Sequence, residues 1–231
     1  MPLTLAAARK ALRAHANPKK AVTQRIFFKN CGSDIFLGVS TPQTRGVSKE
    51  YWQLPFPAVR TLMHSRVHEE RSLAHAILCL KFRKGDEDAQ KQVFDFYLKN
   101  RGAIRDWDGV DDSAPYIVGI YLMDRSKALL HKLIKSRNMW DRRIALVATW
   151  TMIRKGHIND TLKLAAQVLG DTEDLIHKAT GWMLREVGKK DLAALKTFLR
   201  KHYARMPRTA LRYAIERFAK AERLRYLKGE F

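Results

Sequence analysis

The sequence predicts an all-α fold, a helical-repeat solenoid of stacked antiparallel helix pairs, and three observations predict it. Apolar residues recur at helical spacing through most of the chain, and no stretch alternates convincingly; residues 35–39 are too few and too closely bounded by glycine to count as a strand. The 12 glycines and 7 prolines fall between the helical patterns, where they end helices rather than interrupt them. The third observation is an internal repeat. SRVHEERSLAHAILCLKFRKG at 65–85 aligns with SRNMWDRRIALVATWTMIRKG at 136–156, an offset of 71 residues. Ser65, Arg66, Glu70, Arg71, Ala74, Arg83, Lys84 and Gly85 meet Ser136, Arg137, Asp141, Arg142, Ala145, Arg154, Lys155 and Gly156. The offset is two units of about 36, so an intermediate unit begins near Arg105 and a further one near Asp171. A period of roughly 35–40 built from helix pairs is that of a HEAT or armadillo-like solenoid, a curved superhelix in which no pair buries its apolar face alone. A single domain over residues 1–231, with a concave face, is therefore expected.

The elements follow in order. Two short amphipathic helices are expected at 3–14 and 19–29, broken at Asn17 and Pro18. The loop CGSDIFLGVSTP comes next, Pro42 opens the helix QTRGVSKEYW, and Leu54-Pro55-Phe56-Pro57 is a second break. Beyond it the chain runs helix, short turn, helix. One helix of each pair should line the concave face, and each such helix carries an unusual start: HEER at 68–71, WDGVDD at 107–112, WDRR at 140–143 and HKATGW at 177–182. Equivalent positions of a solenoid project onto one surface. Trp107, Trp140, Arg142, Arg143 and Trp182 are thus expected to converge, although each tryptophan taken singly reads as core packing.

Charge narrows the class of partner. The formal net charge is +21, from 44 Lys and Arg against 23 Asp and Glu. Residues 1–50 contribute +7 and residues 196–231 contribute +8, so both ends are basic rims on a less charged body. Such a balance points to a polyanion, nucleic acid before an anionic membrane. The two cysteines, Cys31 and Cys79, have no paired spacing and fit a reducing compartment. The first 20 residues lack the apolar core of a signal peptide, and no run approaches the roughly 18 apolar residues of a membrane span. A monomeric cytoplasmic protein, nucleoid-associated through DNA and without membrane contact, is expected.

The stretch RDWDGVDDSAPYIVG at 105–119 is the most informative. It sets Trp107, Asp108, Asp111 and Asp112 just before an apolar segment, in a strongly basic chain. Acid groups beside an indole fit chemistry on a polyanion; they also fit helix caps and first-turn residues. Residue spacing leaves both readings open. His64 and His68 have the i, i+4 spacing of a metal pair, but no third ligand is evident, so no metal and no cofactor is assigned. There is no glycine-rich phosphate loop, no Ser-His-Asp signature and no CxxC. Phe27 and Phe28 read as packing residues of the second helix, with contact to DNA as the alternative. Arg205, Arg208, Arg212 and Arg217 read as a solvated basic face available to phosphates.

These motifs carry a resemblance. FLGVSTPQTRGVSKE at 36–50, HEER, WDGVDDSAP at 107–115, WDRRIALVATW at 140–150, HKATGWMLREVGK at 177–189 and MPRTALRYAIERF at 206–218 are long, ordered and correctly separated. Together they resemble the DNA alkylation repair proteins of AlkD type, helical-repeat DNA glycosylases, from about Phe27 to Leu227. The resemblance implies excision of N3- and N7-alkylated purines from double-stranded DNA, with Asp111 as the catalytic carboxylate four residues after Trp107. It implies Trp182 as a second cleft tryptophan and Arg143 as a phosphate-binding arginine. Arg45 and Arg142 lie within matching motifs and, with Arg208 and Arg212, complete the candidate DNA-binding set. One departure is Ser40, where an arginine is expected after FLGV. Related proteins that bind branched or distorted DNA without catalysis are the alternative.

The residue types suit the implied role. An N3- or N7-alkylated purine is cationic and leaves readily, so the demand is to stabilise an oxocarbenium-like sugar and to place a water, which one ionised carboxylate can meet. Indole faces suit cationic or electron-poor groups. A guanidinium clasps a phosphate bidentately. On this reading Arg143 meets solvent and ligand rather than the core, and its removal should leave melting nearly unchanged.

Overall fold

The computed structural model of the chain describes residues 3–28 and 32–231, which divide between two compact units, Met1–Ile117 and Val118–Phe231. Cys31 lies outside the described residues. No strand occurs among them; the extended stretch gives one isolated bridge, Ile35 against Val67.

In the first unit, α1 (Leu5–Arg13) starts at Thr4, whose hydroxyl accepts from the Ala7 amide, and α2 (Pro18–Arg25) starts at Asn17, whose side chain accepts from the Lys20 amide. Pro18 sits in the first turn, where its missing N–H costs nothing. α2 buries no residue, and nothing holds it as a helix beyond Arg25, short of the expected end. The loop that follows is held from several sides, with Gln24 Nε2 donating to the Val39 carbonyl and Arg25 Nη1 to the Asp34 carbonyl. The Glu69 carboxylate accepts from the amides of Leu37, Gly38 and Val39 at 2.8–3.3 Å. Gly38 has φ +78°, and a Cβ there would fall 2.0 Å from the Asn17 carbonyl, so only glycine fits. Ser40 then opens α3 (Thr41–Glu50), with the Gln43 side-chain oxygen accepting from its amide and hydroxyl.

Three further helices, α4 (Phe56–Met63), α5 (His68–Lys84) and α6 (Glu87–Asn100), complete most of the unit, and a five-residue α7 (Trp107–Asp111) follows. α5 is the axis: α3, α4, α6 and α7 all pack on it, and Leu73, Ala74, Ile77 and Leu78 are fully buried. After α7 the expected apolar helix is replaced by a turn and a π-helical segment, Pro115–Gly119. Pro115 has no N–H to donate to Asp111 and its ring crowds that carbonyl, so the α ladder cannot run through it.

The second unit contains α8 (Ala128–Leu133), α9 (Met139–Val147), α10 (Thr149–Arg154), α11 (Asn159–Gln167), α12 (Asp174–Lys190), α13 (Leu192–His202), α14 (Arg208–Ala214) and α15 (Lys220–Lys228). α12 takes the place that α5 has in the first unit, packed by α9, α10, α11, α13 and α14. Its core joins Leu184, Leu195, Leu199, Ala210 and Leu211. The α9–α10 break, absent from α5, lies at residues whose hydroxyls compete for helix carbonyls: Thr149 donates to Leu146 and Thr151 to Ala148.

The repeat has a physical basis. Arg71 Nη1 donates to the Ser65 carbonyl at 2.9 Å, and Arg142 Nη1 donates to the Ser136 carbonyl at 2.9 Å. Each arginine also grips an aspartate beyond its helix, Arg71 with Asp106 and Arg142 with Asp171. One Ser-x5-Arg module thus ties each repeat helix to the chain before it and to an acid further on.

Candidate functional site

Trp107 and Asp111 occupy the two ends of α7. Residues i and i+4 share a helix face, so the indole and the carboxylate rise from the same side, one turn apart. Asp111 is the last residue of α7 rather than its first, and it is half-buried. Trp107 is also half-buried. Its ring stacks on Phe28, with centroids 5.3 Å apart and planes at 12°, and its Nε1 donates to the Phe27 carbonyl at 3.3 Å. Phe28 is a packing residue as expected, but Phe27 is 67% exposed.

Asp108 in α7 and Asp112 just after it each pair with a basic side chain. Asp112 pairs with Arg45 at 3.1 Å, both side chains being about half exposed. Burial pushes the Asp112 carboxyl above its usual range despite Arg45. Asp108 pairs with His68, Oδ2 to Nε2 at 2.9 Å, and its Oδ1 accepts from the Gly109 amide. Burial alone would raise the Asp108 pKa; the hydrogen bond and charge of His68 outweigh it, and the pKa is lowered. For His68, burial opposes the proton and Asp108 restores it, leaving the pKa raised.

Beneath α7 lies His75, 4% exposed and with no hydrogen-bond partner at either ring nitrogen. Burial, with Arg71 and His68 nearby, lowers its pKa to about 4, so it is neutral at pH 7. A Cβ at Gly109 would lie 2.9 Å from this ring, so glycine is what lets α7 settle onto α5.

His68, Asp106 and Asp108 bring ligand atoms within 4.8 Å of one another. Arg71, however, donates twice to Asp106 Oδ2, at 2.8 and 2.6 Å, and once to Asp34. The positive charge is thus supplied by the protein itself, and the group is an ion-pair network. His64 stands apart at the exposed end of α4.

In the second unit Trp140 and Trp182 are half-buried, as are all five tryptophans, so none is a plain core residue. Trp182 follows Gly181, where a Cβ would meet the Ala210 carbonyl at 2.4 Å; the glycine brings α14 against α12. Arg212, on α14, is exposed. Arg208 is also exposed but works internally, donating to the Leu227 carbonyl at 2.7 Å. Two arginines differ from expectation. Arg142 is held by Asp171 at 2.6 and 3.1 Å and by two carbonyls, a structural tie rather than an open phosphate ligand. Arg143 is only 4% exposed and donates to the Leu175 carbonyl in the first turn of α12 at 2.6 Å. It lies in the unit's interior rather than facing solvent.

Sequence reasoning passed over His68 and Asp108 as partners. The signal was present, a histidine at one helix start and an acid at another, but nothing in a linear chain says that the two starts abut.

A family model for DNA alkylation repair enzymes matches residues 8–218. No curated protein sequence matches significantly. Among solved structures, one described as "Predicted DNA alkylation repair enzyme from Enterococcus faecalis" superposes with a TM-score of 0.69, at 18% identity, over 89% of this chain and 98% of that one. At that identity the likeness speaks for the fold.

Proposed function

Because the chain belongs to the DNA alkylation repair enzyme family, we propose that it is a DNA glycosylase that hydrolyses the N-glycosidic bond of N3- and N7-alkylated purines in duplex DNA. The observation that carries this reading is the placement of Asp111. It stands one turn from Trp107 on the same face of α7, at the helix end.

The leaving base needs no proton, since alkylation has already made it cationic. Departure leaves positive charge on the sugar, and the ionised Asp111 carboxylate stabilises it and orients the water that attacks C1′. Trp107, with one face stacked on Phe28, offers its indole to the cationic base or sugar edge and helps exclude water. Arg45 lies beside this face through Asp112 and is the first unit's candidate for a phosphate. In the second unit, Arg212 and the half-buried Trp182 on neighbouring helices are the candidates for contact with DNA. No step requires a metal or cofactor.

Incubation with methylated duplex DNA and chromatography of released bases tests the reading. Release of 7-methylguanine or 3-methyladenine is expected. Tight binding to branched DNA with no base released would favour the non-catalytic alternative.

A further inference from the structure

His68 opens α5, 7% exposed, and touches both flanks of the proposed catalytic helix. Its ring stacks on Phe36 at 4.9 Å and 19°, and lies against Phe28 at 4.5 Å. Phe28 in turn stacks on Trp107. On the other side His68 Nε2 meets Asp108, the neighbour of Trp107 in sequence. One imidazole therefore meets α7 directly at its first-turn acid and, through Phe28, indirectly at its indole.

A five-residue helix does not hold its own shape, because too few backbone bonds offset the cost of nucleating it. What fixes α7 must come from outside. Arg71 fixes Asp106, just before it, but Arg142 does the same for Asp171, so that tie is common to the repeat. At the same offset, His68 corresponds to Met139, which forms no such pair. The His68–Asp108 clamp is thus particular to the unit that carries Asp111.

We propose that His68 is a positioning residue for the reaction at Asp111: packed against Phe28 and Phe36 and paired with Asp108, it holds Trp107 and the first turn of α7 so that Asp111 is presented in one orientation. The inference rests on the reading of Asp111 given above. Facing His68 are Asp108 and Asp106 from the start of α7 and Glu69 from α5, while His75 and Arg71 of α5 approach the same acids from below. Three carboxylates around one imidazole favour its protonated form, in which the clamp is an ion pair.

The test uses two variants and two readouts. His68→Gln removes the charge and the ring. His68→Phe keeps the ring stack, and so the packing, while losing the pair with Asp108. Single-turnover excision of 7-methylguanine is expected to fall in both by up to about 10²-fold, the scale of a misplacement of roughly 1 Å. Affinity for the methylated duplex should stay within about two-fold, a split between rate and binding that general unfolding does not produce. Wild-type excision should decline on the alkaline side as His68 loses its proton, and this limb should vanish in both variants. The second readout needs no activity. In protein labelled with 5-fluorotryptophan, the Trp107 resonance, identified by Trp107→Phe, should be a single line that titrates with His68 and broadens in both variants. A wild type that releases no base but shows this response leaves the clamp standing and overturns the reading of Asp111. An active wild type whose rate, alkaline limb and Trp107 line ignore both variants overturns the clamp. Stoichiometric zinc binding that depends on His68 also overturns it, in favour of a metal held with Asp106 and Asp108.

Discussion

Acid should loosen the floor of the site through His75. In the folded chain its pKa falls from 6.5 to about 4, because burial and the charges of Arg71 and His68 oppose the proton. In the unfolded chain the ring keeps its ordinary value. The unfolded state therefore binds the extra proton between pH 6.5 and 4, and stability rises with pH across that window. At 1.36 kcal/mol per pH unit the full shift corresponds to about 3 kcal/mol, of which about 2 kcal/mol is already lost at pH 5. His68 works in a separate window and with the opposite sign. Its raised pKa contributes stability that is complete below 6.5 and fades as pH rises through the folded value. The perturbation that isolates His75 is His75→Phe, which keeps a ring of similar size and removes two buried nitrogens that have no partner. Urea unfolding at steps from pH 8 to pH 4.5 should show the wild type losing about 2 kcal/mol more than the variant by pH 5. At pH 7 the variant should be no less stable than wild type, since an unpaired buried polar atom costs about 1–3 kcal/mol. Parallel pH curves for the two proteins would refute the assignment of a neutral, unpartnered imidazole under α7.

Other outcomes follow from the same geometry. Asp111→Asn should lower single-turnover excision by about 10²–10³-fold, the scale of electrostatic stabilisation in a dry site; wild-type rates in the variant would end its assignment. Arg143→Ala should lower stability by about 2–4 kcal/mol, since truncation leaves a void and strips the Leu175 carbonyl of a charged donor, and a thermal melt checks it. Arg212→Ala should weaken binding to undamaged and methylated duplex alike and reduce the slope of log affinity against log salt by about one, measured by titration at several salt concentrations. Binding by the unaltered protein should itself weaken steeply as salt is raised, given the +21 charge.

The helices were legible because their starts and stops are local chemistry. Asn17 before Pro18, Ser40 before Pro42 and glycine after Lys84 mark boundaries through caps and missing donors, which no tertiary contact has to supply. The repeat was legible for a deeper reason: Ser65 with Arg71, and Ser136 with Arg142, are the same bonded pair seen twice. The same chemistry left the placement of two arginines illegible. An arginine in a basic chain reads as a phosphate ligand, yet Arg142 answers Asp171, 29 residues away, and Arg143 turns inward to a backbone carbonyl. Pro115 was visible, but its consequence, a slipped helical register, depends on how the backbone relaxes around a missing donor. The pair of His68 with Asp108 was hidden because it joins the starts of two helices across 40 residues of sequence.

Glu69 supplies inside the protein what a bound anion would supply from without. The amides of Leu37, Gly38 and Val39 converge on its carboxylate, so their hydrogen-bonding capacity is spent before any phosphate arrives. The bend that delivers the chain to α3 and Arg45 is consequently set in the absence of DNA. Glu69 in α5 and the glycine at position 38 are two of the features that set its shape. At position 40 the serine starts α3, its amide and hydroxyl both donating to Gln43.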